Sequence, residues 1–186
     1  MTIDPTTARD LDDALHVRPL PNGHFEVGVH IADVSHFVRP NTALDKVAAE
    51  RATTTYLVQR AYPMLPRLLC EELCSLNPAV ERLAFSVTWE MDAEGNEVGE
   101  RWFGKSVIRS CLRLTYDEAQ AIIENKVDFN EAVNQKKIDG DHHAHAIEKD
   151  VRTLFVAFLS IKKKLIGQLT CETTGNVQEN AGAPSG

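Results

Sequence analysis

Hydrophobic and polar residues alternate along the first part of the chain with the period of two that is typical of β-strands. In the clearest run, residues 25–31, every second residue is apolar. Asn22 and Gly23 come shortly before it and suit a tight turn, so residues 15–18 and 25–31 are predicted to pair as a β-hairpin. The same alternation around a polar turn predicts a second hairpin over residues 83–108.

Other segments carry apolar residues at helical spacing and begin with residues that cap helices. Thr42 is a suitable N-cap, and Thr115 with Glu118 forms a capping box. The predicted helices span residues 44–59, 66–76, 116–124 and 142–168. Residues 127–140 are predicted to form a loop, and 171–186 a disordered tail because they lack an apolar period. The predicted fold is therefore α+β, with mainly antiparallel strands and surrounding helices.

Composition narrows the possible partners and location of the protein. The 186 residues are enough for one domain, and their formal net charge is −7. Bulk electrostatics would not attract a polyanion, so a nucleic acid would have to be held by local groups or metal ions. No apolar run is long enough to cross a membrane, and no leader pattern precedes the first strand. We expect no membrane partner, an intracellular location and four cysteines that remain thiols.

Four carboxylates fall within ten residues near the start of the chain. They are Asp4, Asp10, Asp12 and Asp13. If they converge in space, they require a cation, and carboxylate oxygens favour Mg²⁺ or Mn²⁺. The alternative is a solvated acidic loop in which Asp10 or Asp12 caps a short helix. An EF-hand is excluded, because Arg9 and Leu15 stand where that loop needs glycine and glutamate.

The acidic segment and three later blocks together resemble the catalytic domain of the ribonuclease II (RNB) family. The blocks that carry the resemblance are 2–15, 27–35, 62–78 and 112–124. The likeness covers roughly residues 2–155. Residues 48–78 are most similar to the eukaryotic Dis3-like branch, and within it to cytoplasmic, exosome-independent members that prefer uridylated RNA.

The resemblance implies a hydrolytic 3′→5′ exoribonuclease that takes single-stranded RNA, not DNA, and releases nucleoside 5′-monophosphates. It implies that the four aspartates hold Mg²⁺, or Mn²⁺, with Asp12 closest to the scissile phosphate and Asp10 also catalytic. Tyr56 maps to an aromatic residue that stacks on a base, and Tyr116 to a tyrosine beside the scissile phosphate. Arg67 is a candidate phosphate contact. The alternative for each tyrosine is a core or helix-face aromatic, and for Arg67 a solvated or structural role.

The chain also departs from the family. Family members carry RNA-binding β-barrel modules, and their catalytic domain is about twice this length, with an arginine that contacts the reacting phosphate in the second half. We therefore interpret residues 1–155 as the N-terminal half of an RNB domain, 156–170 as a divergent helical extension and 171–186 as the tail. The resemblance implies a cytoplasmic protein of RNA decay whose activity alone is weak or absent. The alternative is a non-catalytic fragment that binds RNA or a protein partner.

Overall fold

The computed structural model of the chain describes residues 1–126, 133 and 136–175. The described strands are β1 (Thr2–Asp4), β2 (Asp13–Pro19), β3 (Phe25–Ala32), β4 (Thr55–Tyr56), β5 (Ala61–Tyr62), β6 (Glu81–Met91), β7 (Glu97–Arg109) and β8 (Arg113–Thr115). The described helices are α1 (Val34–Phe37), α2 (Ala43–Arg51), a π-helix (Leu68–Leu73), α3 (Tyr116–Ile123) and α4 (Ala144–Gly175). Strands and helices are mixed, as an α+β fold requires.

The main sheet has four antiparallel strands in the order β2-β3-β6-β7. Both predicted hairpins are confirmed as neighbours in it, and Gly23 adopts the left-handed φ of 84° in the first turn. Strand β1 pairs in parallel with β8, which places Asp4 opposite Thr115. Strands β4 and β5 form a small separate hairpin. The prediction of mainly antiparallel strands is therefore confirmed.

Two apolar clusters cover opposite faces of the main sheet, because Ala14 and Val17 of β2 point to opposite sides. Helix α4 packs on the Val17 side through residues at helical spacing. These residues are Ile147, Val151, Leu154 and Ala157. On the Ala14 side, Leu11 and Leu76 are the most buried members of the second cluster. This second cluster is the one that supports the acidic segment.

Three predicted helices differ from those in the structure. The helix predicted over 44–59 ends at Arg51, where Ala52 adopts a left-handed φ of 58°, and β4 and β5 follow. A run of β-branched threonines at 53–55 favours this extended path. The predicted helix 66–76 is instead the short π-helix, closed by the Cys74 N–H bonding to the Leu69 carbonyl at 2.9 Å.

Helix α4 begins two residues later than predicted and continues to Gly175 rather than 168, so it includes residues 171–175 of the predicted tail. The rest of that tail, 176–186, lies outside the described residues, as do 127–132 and 134–135 of the predicted loop. The described positions of that loop have no helix or strand. No helix in the described part of the chain is long and apolar enough to cross a membrane.

A row of polar side chains crosses the sheet on the Ala14 side. The Nδ1 atom of His16 lies 2.7 Å from Nε2 of His30, whose Nδ1 lies 2.6 Å from Oγ of Ser86. Ser86 in turn hydrogen-bonds Ser106 at 2.5 Å. A side chain at Gly28 would collide with the His16 ring, since a Cβ there would lie 2.2 Å from it. Glycine at 28 therefore provides the space for this row, and His30 serves in it as a hydrogen-bonding group.

On the α4 side, the half of the sheet beyond the helix exposes large apolar side chains. Ile31 pairs with Phe85, and the neighbouring Phe103 and Val107 point to the same side. About half of each side chain is accessible, from 47% for Phe85 to 62% for Val107. This apolar face borders the acidic segment, because Asp13 pairs with Ile31.

Candidate metal and nucleic-acid site

The acidic segment between β1 and β2 is anchored at its centre by Leu11. The Leu11 side chain is fully buried, and its backbone N–H donates to Oγ of Ser75 at 3.0 Å. Its carbonyl accepts from the N–H of Leu76 at 2.9 Å. Asp10 and Asp12 flank this fixed point, so their positions depend on the segment that follows the π-helix.

Arg113 holds the first half of the same segment. One guanidinium nitrogen of Arg113 donates to the carbonyl oxygens of Pro5, Thr6 and Ala8, at 3.0, 3.4 and 2.8 Å. Backbone carbonyls at these distances make charge-assisted hydrogen bonds with arginine. The path between Asp4 and Asp10 is thus set by a side chain from β8.

Regular strand pairing places the outer aspartates. Asp4 ends β1, and its residue is 7% exposed. Asp13 begins β2, and the carbonyl of Asp12 accepts from the N–H of Ala32 at 2.9 Å. The capped short helix of the alternative is not found, because no helix begins between β1 and β2, whereas Asp12 and Asp13 are exposed as a solvated loop would have them.

The four carboxylates act on one another electrostatically. Burial raises the pKa of Asp4, the Thr2 side chain and Arg113 oppose the shift, and the nearby carboxylates of Asp13 and Asp10 add to it. Desolvation also raises the pKa of Asp12, followed by repulsion from Asp10, Asp13 and Asp4. At neutral pH, a cation bound among these carboxylates would therefore stabilise their ionised forms.

The donor set suits a hard divalent cation in chemistry and charge. Oδ2 of Asp4 is buried without a hydrogen-bond partner, which is costly for a carboxylate oxygen unless another positive group reaches it. Within the described residues, no group of three or more His, Cys, Asp or Glu side chains is arranged to hold an ion by itself. Mg²⁺ usually retains waters and takes substrate phosphate oxygens as ligands, so it does not need a closed protein site.

A pocket of about 360 Å³ brings three of the predicted site residues together. Asp10, Tyr56 and Arg67 all line it, together with Arg9 and Arg60. The side chain of Tyr56 is 75% exposed, so a face of its ring is free for a ligand. The alternative of a core aromatic is therefore wrong for Tyr56.

Tyr116 lies in a different place. It is the first residue of α3 and lines an apolar groove between α3 and α4, with Phe155 and Phe158 among the other lining residues. Its side chain is 60% exposed. Because the preceding residue, Thr115, pairs with Asp4, Tyr116 follows directly after the strand that borders the acidic segment. The structure thus groups Tyr56 with Asp10, whereas Tyr116 lines the α3–α4 groove, as the helix-face alternative predicts, and not the pocket of Asp10.

Other candidate cations have structural partners. Arg51 donates to the carbonyl of Pro63 at 2.7 Å, and Arg109 forms a two-point ion pair with Asp139 at 2.6 and 2.9 Å. Arg67 lies 3.4 Å from Glu71 while still lining the pocket. Arg51 and Arg109 therefore serve the fold, and Arg67 contributes to both.

Sequence reasoning did not single out Ser75, Arg113 or Arg60. Ser75 and Arg113 act on residues far away in the chain, and no local pattern reports such contacts. A signal for Arg60 was present, because it stands between two tyrosines in an otherwise uncharged stretch, 52–66. Basic and aromatic residues alternating in this way are typical of nucleic-acid-binding segments.

Comparison with known proteins gives the family. Residues 1–178 match the RNB domain. The chain belongs to the RNB domain family. The match includes residues 156–170, which the sequence analysis interpreted as divergent, and the domain boundaries themselves stay a prediction.

Relatives within the family are close in sequence and in structure. The chain is 61% identical over 165 residues to DIS3-like exonuclease 2 of Schizosaccharomyces pombe, covering 89% of this chain and 17% of that protein. It is 56% identical over 131 residues to a protein of Arabidopsis thaliana named Inactive exonuclease DIS3L2, covering 70% and 12%. Mycoplasma genitalium RNase R, solved in complex with ribose methylated single-stranded RNA, superposes with a TM-score of 0.74 at 30% identity, covering 88% and 23%.

The RNB chain thus spans about a fifth of the length of the relatives that it matches. The structural agreement confirms the fold class and the family resemblance of the acidic segment and the blocks after it.

Proposed function

We propose that this RNB chain carries the metal-binding and RNA-binding part of a hydrolytic 3′→5′ exoribonuclease site. The substrate class is single-stranded RNA, and the products are nucleoside 5′-monophosphates. The observation that carries the proposal is the unpartnered, buried Oδ2 of Asp4 within a set of four mutually repelling carboxylates. A fold of the same kind in a protein solved with single-stranded RNA supports the substrate class.

The proposed roles follow from the positions of the side chains. Asp4, Asp10, Asp12 and Asp13 would hold Mg²⁺ or Mn²⁺. When bound, such an ion lowers the pKa of a water molecule and neutralises charge on the phosphate and the leaving oxygen. Tyr56 offers an open ring face on which a base stacks, which tolerates any base. Arg67 supplies positive charge to the same pocket, and Tyr116 follows Thr115, the β8 residue that pairs with Asp4.

The substrate tail and the location are part of the same proposal. RNA with a uridine tail and action in cytoplasmic RNA decay are supported by the similarity of residues 48–78 to the members with that preference. The high identity to a DIS3-like exonuclease 2 agrees with this branch of the family.

A second candidate function is RNA binding without hydrolysis. A relative that is 56% identical to this chain is named inactive, so family membership does not decide activity. Stabilising the transition state of phosphate hydrolysis usually requires preorganised positive charge. In the pocket, Arg9 and Arg67 both lie beside the carboxylate of Glu71, which offsets part of their charge. We expect weak or absent hydrolysis by this chain alone.

The test uses a 5′-labelled single-stranded RNA with a uridine tail, incubated with the purified chain in Mg²⁺. Asp12→Asn removes one carboxylate of the cluster, and Asp141→Asn makes the same change at an exposed position before α4. A ladder that shortens from the 3′ end, and is lost only in Asp12→Asn, establishes a working site. RNA binding without shortening establishes the second candidate. If neither occurs with a folded chain, the proposed function is wrong.

A further inference from the structure

We propose that Arg60 is a phosphate-binding residue that holds the RNA backbone beside a base stacked on Tyr56. The role depends on the proposed function, since it requires RNA in the pocket that both residues line. It adds a specific contact with the RNA backbone to the hairpin that carries Tyr56.

Arg60 is placed by the tip of the β4–β5 hairpin. The N–H of Leu57 donates to the carbonyl of Arg60 at 2.9 Å, which closes the turn. Tyr56 pairs with Ala61 across the two strands. The short, closed turn therefore keeps Arg60 close to Tyr56, and both side chains reach the same pocket.

Among the arginines of the pocket, Arg60 is the one without an ion-pair partner in the described part of the chain. Arg9 and Arg67, the other arginines of the pocket, lie 4.0 and 3.4 Å from the carboxylate of Glu71. No described carboxylate lies within ion-pair distance of Arg60. It is also the only charged residue between Arg51 and Arg67. An anion that enters the pocket would thus meet the least neutralised arginine at Arg60.

The orientation of the guanidinium suits a phosphate. Its carbon lies 4.8 Å from the centre of the Tyr62 ring, in a cation–π contact. An arginine that rests one face on an aromatic ring keeps its edge N–H groups available for phosphate oxygens. A nucleotide offers both a phosphate for such donors and a base for the ring of Tyr56. Single-stranded RNA is therefore the ligand that uses both groups of the hairpin.

The experiment measures binding of a 5′-fluorescein-labelled uridine 12-mer by anisotropy, at several salt concentrations, with Ca²⁺ replacing Mg²⁺ and the RNA length checked afterwards on a gel. Each phosphate neutralised on a single strand contributes about 0.7 to the slope of log K against log salt. Arg60→Gln should reduce the slope by about 0.7, and the affinity roughly 5-fold at 0.1 M salt. Arg60→Lys should retain the slope.

The matched control is Arg18→Gln, which removes the same charge from an exposed arginine at the far end of β2. It should leave both slope and affinity unchanged. Tyr56→Leu should lower the affinity without altering the slope, because stacking releases no counterions. If the unmodified chain binds RNA but Arg60→Gln behaves as Arg18→Gln does, the role of Arg60 is refuted and the proposed function stands. If the unmodified chain does not bind, both fail.

Discussion

Asp4 shows how a single side chain links stability to chemistry. Its carboxylate is buried, one oxygen has no partner, and burial raises its pKa. A carboxyl group whose pKa is raised on folding favours the folded state while protonated. That advantage is lost as pH rises from the unfolded pKa of about 4 through the raised value. At neutral pH, the folded chain therefore retains a penalty that a cation can relieve.

We predict that Mg²⁺ raises the melting temperature at pH 7.5, and that the increase fades towards pH 4 as the carboxyl groups take up protons. An ion present at 100 times its Kd adds about 2.7 kcal/mol to the free energy of unfolding. Thermal unfolding followed by circular dichroism, with and without Mg²⁺ at both pH values, measures the change.

The control for this prediction is Asp4→Asn, which removes the buried charge. This variant should be more stable than the unmodified chain in the absence of Mg²⁺ at pH 7.5, and Mg²⁺ should stabilise it less. Asp141→Asn should respond to Mg²⁺ as the unmodified chain does. An equal response in all three proteins would show that the ion acts elsewhere.

At the scale of elements, the polar row across β2, β3, β6 and β7 makes the sheet sensitive to acid. Burial and the neighbouring His16 ring lower the pKa of His30 to about 4. The neutral ring joins His16 and Ser86 by hydrogen bonds, and a proton on His30 would place a charge in this part-buried row. The row is thus built for the neutral form of His30.

We predict that the free energy of unfolding rises between pH about 4 and about 6.5, the ordinary histidine pKa, because the unfolded chain binds more protons at His30 over that range. In His30→Gln, the free energy of unfolding should rise by about 1–3 kcal/mol less over the same pH range. Urea unfolding at several pH values measures it. Asp4 and Asp12 act in the opposite direction, so the comparison of the two proteins isolates His30.

His143→Gln changes an exposed histidine just before α4 and is the control. A pH dependence that is unchanged in His30→Gln would contradict the prediction.

The sequence predicted those elements whose signals are local. The Asn22-Gly23 turn, the period-two runs and the capping box of Thr115 and Glu118 all correspond to observed structure. The helix predicted over 44–59 failed because helical spacing continued past the point where Ala52 turns the chain. The threonines that follow could have indicated the change, since β-branched residues favour extended structure.

The residues of the candidate site could be predicted from the sequence, but the hydrogen bonds that position them could not. Four aspartates in a short segment mark a metal site by residue type, and the family resemblance assigns Tyr56 and Arg67. The contacts that arrange them cross the chain: Arg113 reaches carbonyls more than a hundred residues earlier, and Ser75 holds the N–H of Leu11. Hydrogen bonds between residues so far apart in the chain produce no local sequence pattern from which they could be predicted.

At the scale of the whole molecule, the half of the main sheet that α4 does not cover presents an apolar surface. Ile31, Phe85, Phe103 and Val107 contribute to it around Lys105, which lies opposite Phe85 and pairs with Asp33. The surface reaches the start of β2 beside Asp13. Clustered exposed apolar side chains of this kind promote association. Among the described strands, β7 pairs only with β6, so its other side is an edge of the sheet.

We predict that the isolated chain associates as its concentration rises. Sedimentation velocity over a range of concentrations should show growing species for the unmodified chain. Phe85→Thr with Phe103→Thr should shift the association to higher concentration, because threonine keeps strand propensity and removes most of the apolar area. A double change at exposed apolar positions outside the main sheet, Val58→Thr with Leu68→Thr, should have a smaller effect. A monomer at all concentrations would contradict the prediction.

The pairing of β1 with β8 has a consequence for the order of events during synthesis. The aspartates are synthesised before Arg113, which fixes their backbone and follows more than a hundred residues later. At 5–20 residues per second, on the order of ten seconds pass between the synthesis of the acidic segment and that of Arg113. Throughout that interval the nascent chain displays its carboxylates on an unfixed backbone. The acidic segment therefore takes its final form only after β8 has been synthesised.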